Sequence, residues 1–480
     1  MFRFHPVGRV VVLLLLATPS LVTPAAGQGI ERVLNDLNRR APAYGEVAHQ
    51  IWEWAEVGYQ ETRSSALLQE QLRSAGFTVE AGVAGMPTAF VATWGSGGPV
   101  IGILGEFDAL PGLSQDAVPL ARPLLVGGAG HACGHHLLGA ASLAAAIAVK
   151  GWLEATGTAG TVRYYGTPAE EGGGAKIYMV REGLFADVDA AITWHPGDRN
   201  QVSKATTLAN ISAKFRFHGL SAHAAAAPEA GHSALDGIEA MNTMVNLLRE
   251  HVPQETRLHY IITRGGMAPN VVPDFAEAYY YARHSDMRVL DGIWERIVHA
   301  AEGAALGTGT TMDFEIVNAV YNMLPNEHLA DVMQEALRSV GGVNYTDEEE
   351  AFAVELQKSL LPGAPPPSTA SEILEPEFAL QSGSTDVGDV SWVVPTVELG
   401  TATWVPGTPA HSWQAVAAGG MSIGNKGMMV AAKTMTLAMM ELFQNPEHLA
   451  RAREEFTRRL NGFVYVPKIG DRAPPLDYRK

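Results

Sequence analysis

The sequence predicts an α/β protein that carries a second, α+β unit. Three observations point there. Short apolar runs alternate with helical patterns over roughly the first 200 residues. Three of those runs end in acidic or histidine residues, where sites sit in an open α/β sheet. Residues 213–317 then read β-α-β-β-α-β, the order of a ferredoxin-like sandwich.

Taken in order, residues 31–76 have apolar positions three and four apart, with Trp52, Ala55 and Tyr59 on one face. They predict one helix ending at Gly76. Residues 77–79 and 88–94 alternate as strands. Residues 100–105 form an unbroken apolar run, a buried strand leading into Glu106, Phe107 and Asp108. An alanine-rich helix is expected over 140–153. Strands follow over 161–165, before Pro168, Glu170 and Glu171, and over 190–194, before His195. In the second unit, strands are expected over 213–217, 257–263, 276–282 and 311–317, with helices over 233–250 and 289–303. Beyond it come a helix over 326–340, a surface loop over 361–371 and a long helix over 419–443. The methionines of that last helix are expected to pack rather than bind metal.

Of 480 residues, 51 are acidic and 34 basic, for a formal charge of −17, which argues against a nucleic-acid partner. The apolar content, 47%, argues against disorder. Arg3 and Arg9 precede an apolar run over 10–17, and Ala25, Ala26 and Gly27 are small. Residues 1–27 therefore read as a cleaved signal peptide, with a periplasmic or secreted product. The run is too short to span a membrane comfortably, so no stable membrane anchor is expected. The one cysteine, Cys133, allows no internal disulfide. A lone thiol in an oxidising compartment must be buried or held by a metal.

Cys133 sits in the densest polar cluster, His131-Ala132-Cys133-Gly134-His135-His136. Thiolate with imidazole suits zinc, and imidazole with carboxylate also admits manganese. In Pro168-Ala169-Glu170-Glu171 the adjacent acids project differently, so one can hold a metal while the other faces substrate. His195, His223 and His411 bring the set to enough ligands for two metals.

In this order, together with Gly105-Glu106-Phe107-Asp108-Ala109-Leu110-Pro111, the segment 265–273 and Ser384-Thr385-Asp386, the chain resembles the aminoacylase/carboxypeptidase class of co-catalytic metallopeptidases. It is most similar to the p-aminobenzoyl-glutamate hydrolase-like branch of amidohydrolases. The resemblance implies a two-domain fold, with a mixed-sheet catalytic domain (28–208 and 321–445) and an inserted ferredoxin-like lid and dimerisation domain (209–320). A tail, 446–480, follows. The resemblance makes Cys133 the ligand shared by two divalent ions, zinc or manganese. His135 and His195 would complete one site, Glu171 and His411 the other. Glu170 would be the general base. Asp108 would orient a ligand from behind, with Asp386 also in the surrounding layer. His223 would stabilise the oxyanion, reaching the partner subunit's site in a homodimer, with Asn270 beside it on substrate.

His136 departs from the pattern, which has Asp in the auxin-conjugate amidohydrolases and commonly Asn in the nearer branch. It is either a donor behind the ligands, the reading we prefer, or a substitute ligand. Arg264 and Arg283 are candidates for a substrate carboxylate through bidentate pairing, or else structural arginines. The expected reaction is hydrolysis of the amide bond of N-acyl or N-aroyl amino acids by metal-activated water. The alternatives are an exported dipeptidase or carboxypeptidase, a zinc-dependent deacetylase, and a non-catalytic metal-dependent binding protein on the same scaffold. An export signal is unusual for this branch.

Overall fold

The computed structural model describes residues 24–480. The basic residues and apolar run of the expected signal peptide lie outside them. The chain starts with α1 (Pro24–Trp54) and α2 (Thr62–Ser74), followed by β1 (Thr78–Ala81), β2 (Phe90–Ser96), β3 (Val100–Gly105), α3 (His135–Thr156), β4 (Gly160–Gly166), α4 (Ala175–Arg181), β5 (Ala190–Gly197) and β6 (Gln201–Ser203). A smaller unit follows: β7 (Ala209–His218), α5 (Ala234–Leu248), β8 (Arg257–Arg264), β9 (Phe275–His284), α6 (Met287–Thr308) and β10 (Thr311–Val320). The chain returns through α7 (Glu327–Val340), α8 (Asp347–Gln357), α9 (Val387–Ser391), β11 (Thr396–Ala402), α10 (Trp413–Gly419), α11 (Ser422–Gln444) and α12 (Glu447–Leu460).

Seven strands form one mixed sheet in the order β1-β2-β4-β3-β5-β11-β6. Its centre, β4-β3-β5-β11, is parallel. Ile101, Ile103, Val162, Tyr164 and Ile192 pack with α3 on one face. Leu104, Tyr165 and Ala191 pack with Ile177, Tyr178 and Met179 of α4 in a separate cluster. Burial on both faces explains the unbroken apolar runs. Helix α3 is long and apolar enough to cross a membrane, but it lies between the sheet and helices α1 and α11, in the core. Met428, Met435, Met439 and Met440 of α11 pack in that core.

The smaller sheet is antiparallel, in the order β10-β7-β9-β8. Helices α5 and α6 share a core with it. The two units together make the two-domain α/β architecture.

One helix expectation needs correction. The single helix over 31–76 is broken after Trp54, and Ala55 and Tyr59 stand at left-handed φ values of 44° and 61°. The break is chemical. Glu56 accepts hydrogen bonds from the backbone N–H groups of Arg63 and Ser64 at 3.1 and 2.9 Å, restarting the helix as α2. Tyr59 Oη donates to Gly173 O at 2.9 Å, tying the break to the turn after β4. The long helix expected over 419–443 is present as α11, which starts at Ser422 because the chain turns at Gly420 and Met421 after α10. Residues 361–371 form a loop that closes in a 3-10 turn, Pro367–Ser371.

Candidate metal centre

The carboxyl ends of the parallel strands converge. Glu106 and Asp108 follow β3, Glu170 and Glu171 follow β4, and His195 lies within β5 rather than beyond it. Cys133 and His135 meet them at the start of α3. Gly134 between them has φ 77°, and a Cβ there would stand 2.6 Å from Cβ of Pro196. Only a glycine lets this turn press against β5.

Two groups of candidate ligands share Cys133: Cys133, His135 and His195, and Cys133, Glu171 and His411. Within each, the ligand atoms lie within 4.8 Å of one another. Hydrogen bonds set the imidazoles. His195 Nδ1 donates to Pro196 O at 2.7 Å, leaving Nε2 free 3.3 Å from Cys133 Sγ. His135 Nδ1 donates to Asp108 Oδ1 at 2.8 Å. The other Asp108 oxygen accepts from Glu171 N at 2.9 Å. His411 occupies left-handed backbone, φ 59°, with its N–H donating to Ala132 O at 3.0 Å. Its Nε2 is 3.3 Å from Glu171 Oε1. Such backbone strain is characteristic of functional positions.

The donor set fits two divalent ions. His135 Nε2 and Glu171 Oε1 are buried without hydrogen-bond partners among the described residues. Glu106 Oε2 is 3.1 Å from His135 Nε2, but outside hydrogen-bonding geometry. Burial pushes the Cys133 thiol strongly up, so a thiolate here requires a cation. Lone pairs held dry and aimed together are what a cation satisfies.

Glu170 joins Glu106 and His135 in a third cluster. Burial, then the charges of Glu106 and Glu171, raise its carboxyl well above the usual range.

Behind these groups lies a buried network that the sequence did not reveal. Lys176 Nζ bridges Glu106 Oε1 at 2.7 Å and Asp386 Oδ1 at 2.6 Å. The Lys176 N–H donates to Asp386 Oδ2 at 3.0 Å. Glu61 Oε1 accepts from Ala169 N at 2.9 Å, holding the turn that presents Glu170. Tyr478 Oη and Arg479 from the tail both donate to Glu171 O, at 3.1 and 2.9 Å. A lysine on an otherwise apolar stretch after Gly172-Gly173-Gly174 was the available signal for Lys176.

Other expected residues fall elsewhere. His136 bonds Gly419 O at 3.1 Å and packs its ring 5.0 Å from that of His131. It joins neither ligand group, which corrects both readings of it. Successive helical residues point about 100° apart, so a helix starting at His135 turns His136 away. Arg283 lines the cavity beside Thr207, Ser384 and Thr385. Arg264 instead stacks 4.8 Å from the ring centre of Phe275, outside the cavity lining. His223 and Asn270 are exposed and adjacent, with Ala224 N donating to Asn270 O at 3.0 Å. Neither lines this chain's own cavity.

Residues 102–361 match the family model described as peptidase family M20/M25/M40. A p-aminobenzoyl-glutamate hydrolase polypeptide of Escherichia coli (strain K12) is 43% identical over 457 residues, covering 89% of this chain and 95% of that protein. The Xaa-Arg dipeptidase of Mus musculus is 29% identical, over 89% of this chain and 92% of its own. Among solved structures, the aminobenzoyl-glutamate utilization protein from Klebsiella pneumoniae superposes with a TM-score of 0.61 at 19% identity, over 86% of this chain and 98% of that one. A dinuclear metal binding peptidase of Bacillus subtilis gives 0.57 at 18%, over 87% and 99%. At these identities the superpositions speak for the fold.

Proposed function

This chain belongs to peptidase family M20/M25/M40, and from that premise we propose that it cleaves the amide bond of N-acyl or N-aroyl amino acids such as p-aminobenzoyl-glutamate. It is a metal-dependent amidohydrolase with a co-catalytic site for two divalent ions. The observation that carries the hydrolytic reading is the pair of ligand groups sharing Cys133, with the Glu170 carboxyl beside them, and the 43% identity to the Escherichia coli protein supports the substrate.

Cys133, His135 and His195 would hold one ion, and Cys133, Glu171 and His411 the other. Bound there, the ions supply Lewis acidity toward carbonyl and water. Glu170 takes a proton from the attacking water on its carboxylate and returns it to the leaving nitrogen. Its raised proton affinity suits the first half of that exchange. Asp108 keeps the His135 proton on Nδ1, so that Nε2 remains a ligand. Arg283 receives the substrate carboxylate.

His223 and Asn270 act on the partner's site in a homodimer. Two features support this: both lie off their own cavity, and β8 is a sheet edge with exposed Ile261 and Ile262. Export follows from the signal-like N-terminus. N-terminal sequencing of protein recovered from a periplasmic fraction tests it, and an intact Met1 there would refute it.

A dipeptide substrate is the second reading, favoured by the similarity to the Xaa-Arg dipeptidase. Product analysis on p-aminobenzoyl-glutamate and a dipeptide panel decides between them. Glu170→Gln should lose about 10²- to 10⁴-fold in kcat while retaining both metals. Near-full activity of that variant would remove Glu170 from the mechanism.

A further inference from the structure

Beside the metal-centre cavity, of about 480 Å³, lies a second one of about 320 Å³. His195, Gln381 and Glu398 line both, so the two adjoin. Pro196 and Leu380 give the second cavity an apolar part. Glu398 stands on β11, opposite Thr193 of β5 and Ser203 of β6, held by a strand on each side.

Its carboxylate has no hydrogen-bond or ion-pair partner among the described residues. The neighbouring cation Lys176 is already shared by Glu106 and Asp386. The other charges of this cavity are engaged as well. Asp198 pairs with Arg199, and Glu377 Oε1 accepts from Ala379 N. A carboxylate without a protein partner, set where the two cavities meet, favours an occupant that donates to it.

We propose that this second cavity is the subsite for the far end of the substrate, where Glu398 selects an apolar body tipped with a hydrogen-bond-donating nitrogen, an aryl or alkyl amine. The inference rests on the amidohydrolase reading and adds to it the residue that chooses the substrate. An acceptor-only or anionic tip would meet the Glu398 carboxylate unfavourably. A donor nitrogen would make with it a charge-assisted hydrogen bond.

The test uses the metal-loaded, full-length protein and a matched pair, p-aminobenzoyl-glutamate and benzoyl-glutamate, which differ by one amino group. The wild type should prefer the amino compound by about tenfold or more in kcat/KM, chiefly through KM. The preference should shrink in Glu398→Gln and vanish in Glu398→Leu. A preference unchanged in both variants, or a wild type that favours benzoyl-glutamate, overturns the proposal. Calorimetric binding of p-aminobenzoate against benzoate reads the subsite without turnover. If neither amide is cleaved, tighter p-aminobenzoate binding that is lost in Glu398→Leu keeps the subsite and overturns the amidohydrolase reading. Equal binding of the two acids overturns the subsite.

Discussion

Asp108 ties His135 to the opposite half of the centre: Oδ1 accepts from His135 Nδ1 at 2.8 Å while Oδ2 accepts from Glu171 N at 2.9 Å. One buried carboxylate thus positions a ligand of each group. An amide can accept through only one atom and would set its NH₂ against the other donor. Asp108→Asn should therefore weaken both ions, by about 10- to 100-fold in affinity. Competition with a chromophoric chelator measures this stepwise. Loss confined to one ion would contradict the tether.

Lys176 is fully buried between Glu106 and Asp386. Removing one partner of a buried charge cluster leaves the others uncompensated, typically at about 3–5 kcal/mol. Lys176→Met should destabilise the protein by about that much in urea unfolding. Combining it with Glu106→Gln and Asp386→Asn should recover much of the loss. A single variant within about 1 kcal/mol of wild type would show that the lysine carries no such charge burden.

These two sites mark what the sequence could and could not reveal. Strand β3 and the ferredoxin-like unit were legible because burial writes apolar runs and alternation directly into local composition. Cys133 was legible from the histidines clustered about it, and Glu170 and His195 from the apolar runs that precede them. Lys176 and Glu61 were not, since each acts through partners far away in the chain: Lys176 meets Asp386 across 210 positions and Glu61 meets Ala169 across 108. The break at Ala55 was hidden because helical periodicity resumes in α2, while the Glu56 contacts that restart it carry no periodic signal. Strand β11 and helices α8 and α12 fall outside the expected elements, and with β11 goes Glu398. Arg264 and Arg283 are alike in sequence, and only the register of β8 and β9 puts Arg283 into the cavity.

The tail reaches the centre through Glu171 O, which accepts from both Tyr478 and Arg479. Gln60 adds a contact to Leu476 O at 2.9 Å. Deleting residues 476–480 removes these bonds, each worth about 1 kcal/mol net. The ion held by Glu171 and His411 should then bind roughly 5- to 30-fold more weakly. The ion of His135 and His195 should be little affected. Stepwise cobalt(II) titration followed by absorption separates the two sites. An equal effect on both, or on neither, would exclude a positioning role for the tail.

Glu398 also makes a pH-dependent contribution to stability. Burial, and then the charge of Glu106, push its carboxyl up to about 7, against the lowering effect of Lys176. From about 4.5 to 7 the folded state therefore binds more protons at this position than the unfolded chain does. Stability falls as pH rises through that window. Glu398→Gln removes this titration without removing a hydrogen bond. In metal-free protein the variant should gain on wild type by roughly 2–3 kcal/mol between about pH 4.5 and pH 8, since each pH unit of the window carries about 1.4 kcal/mol. Glu106, Lys176 and His195 titrate in both proteins, so the difference between their urea-unfolding curves isolates Glu398. A difference that stays flat, or that favours wild type as pH rises, would mean that the carboxylate is solvated in the folded protein and the cavity too wet to select a donor.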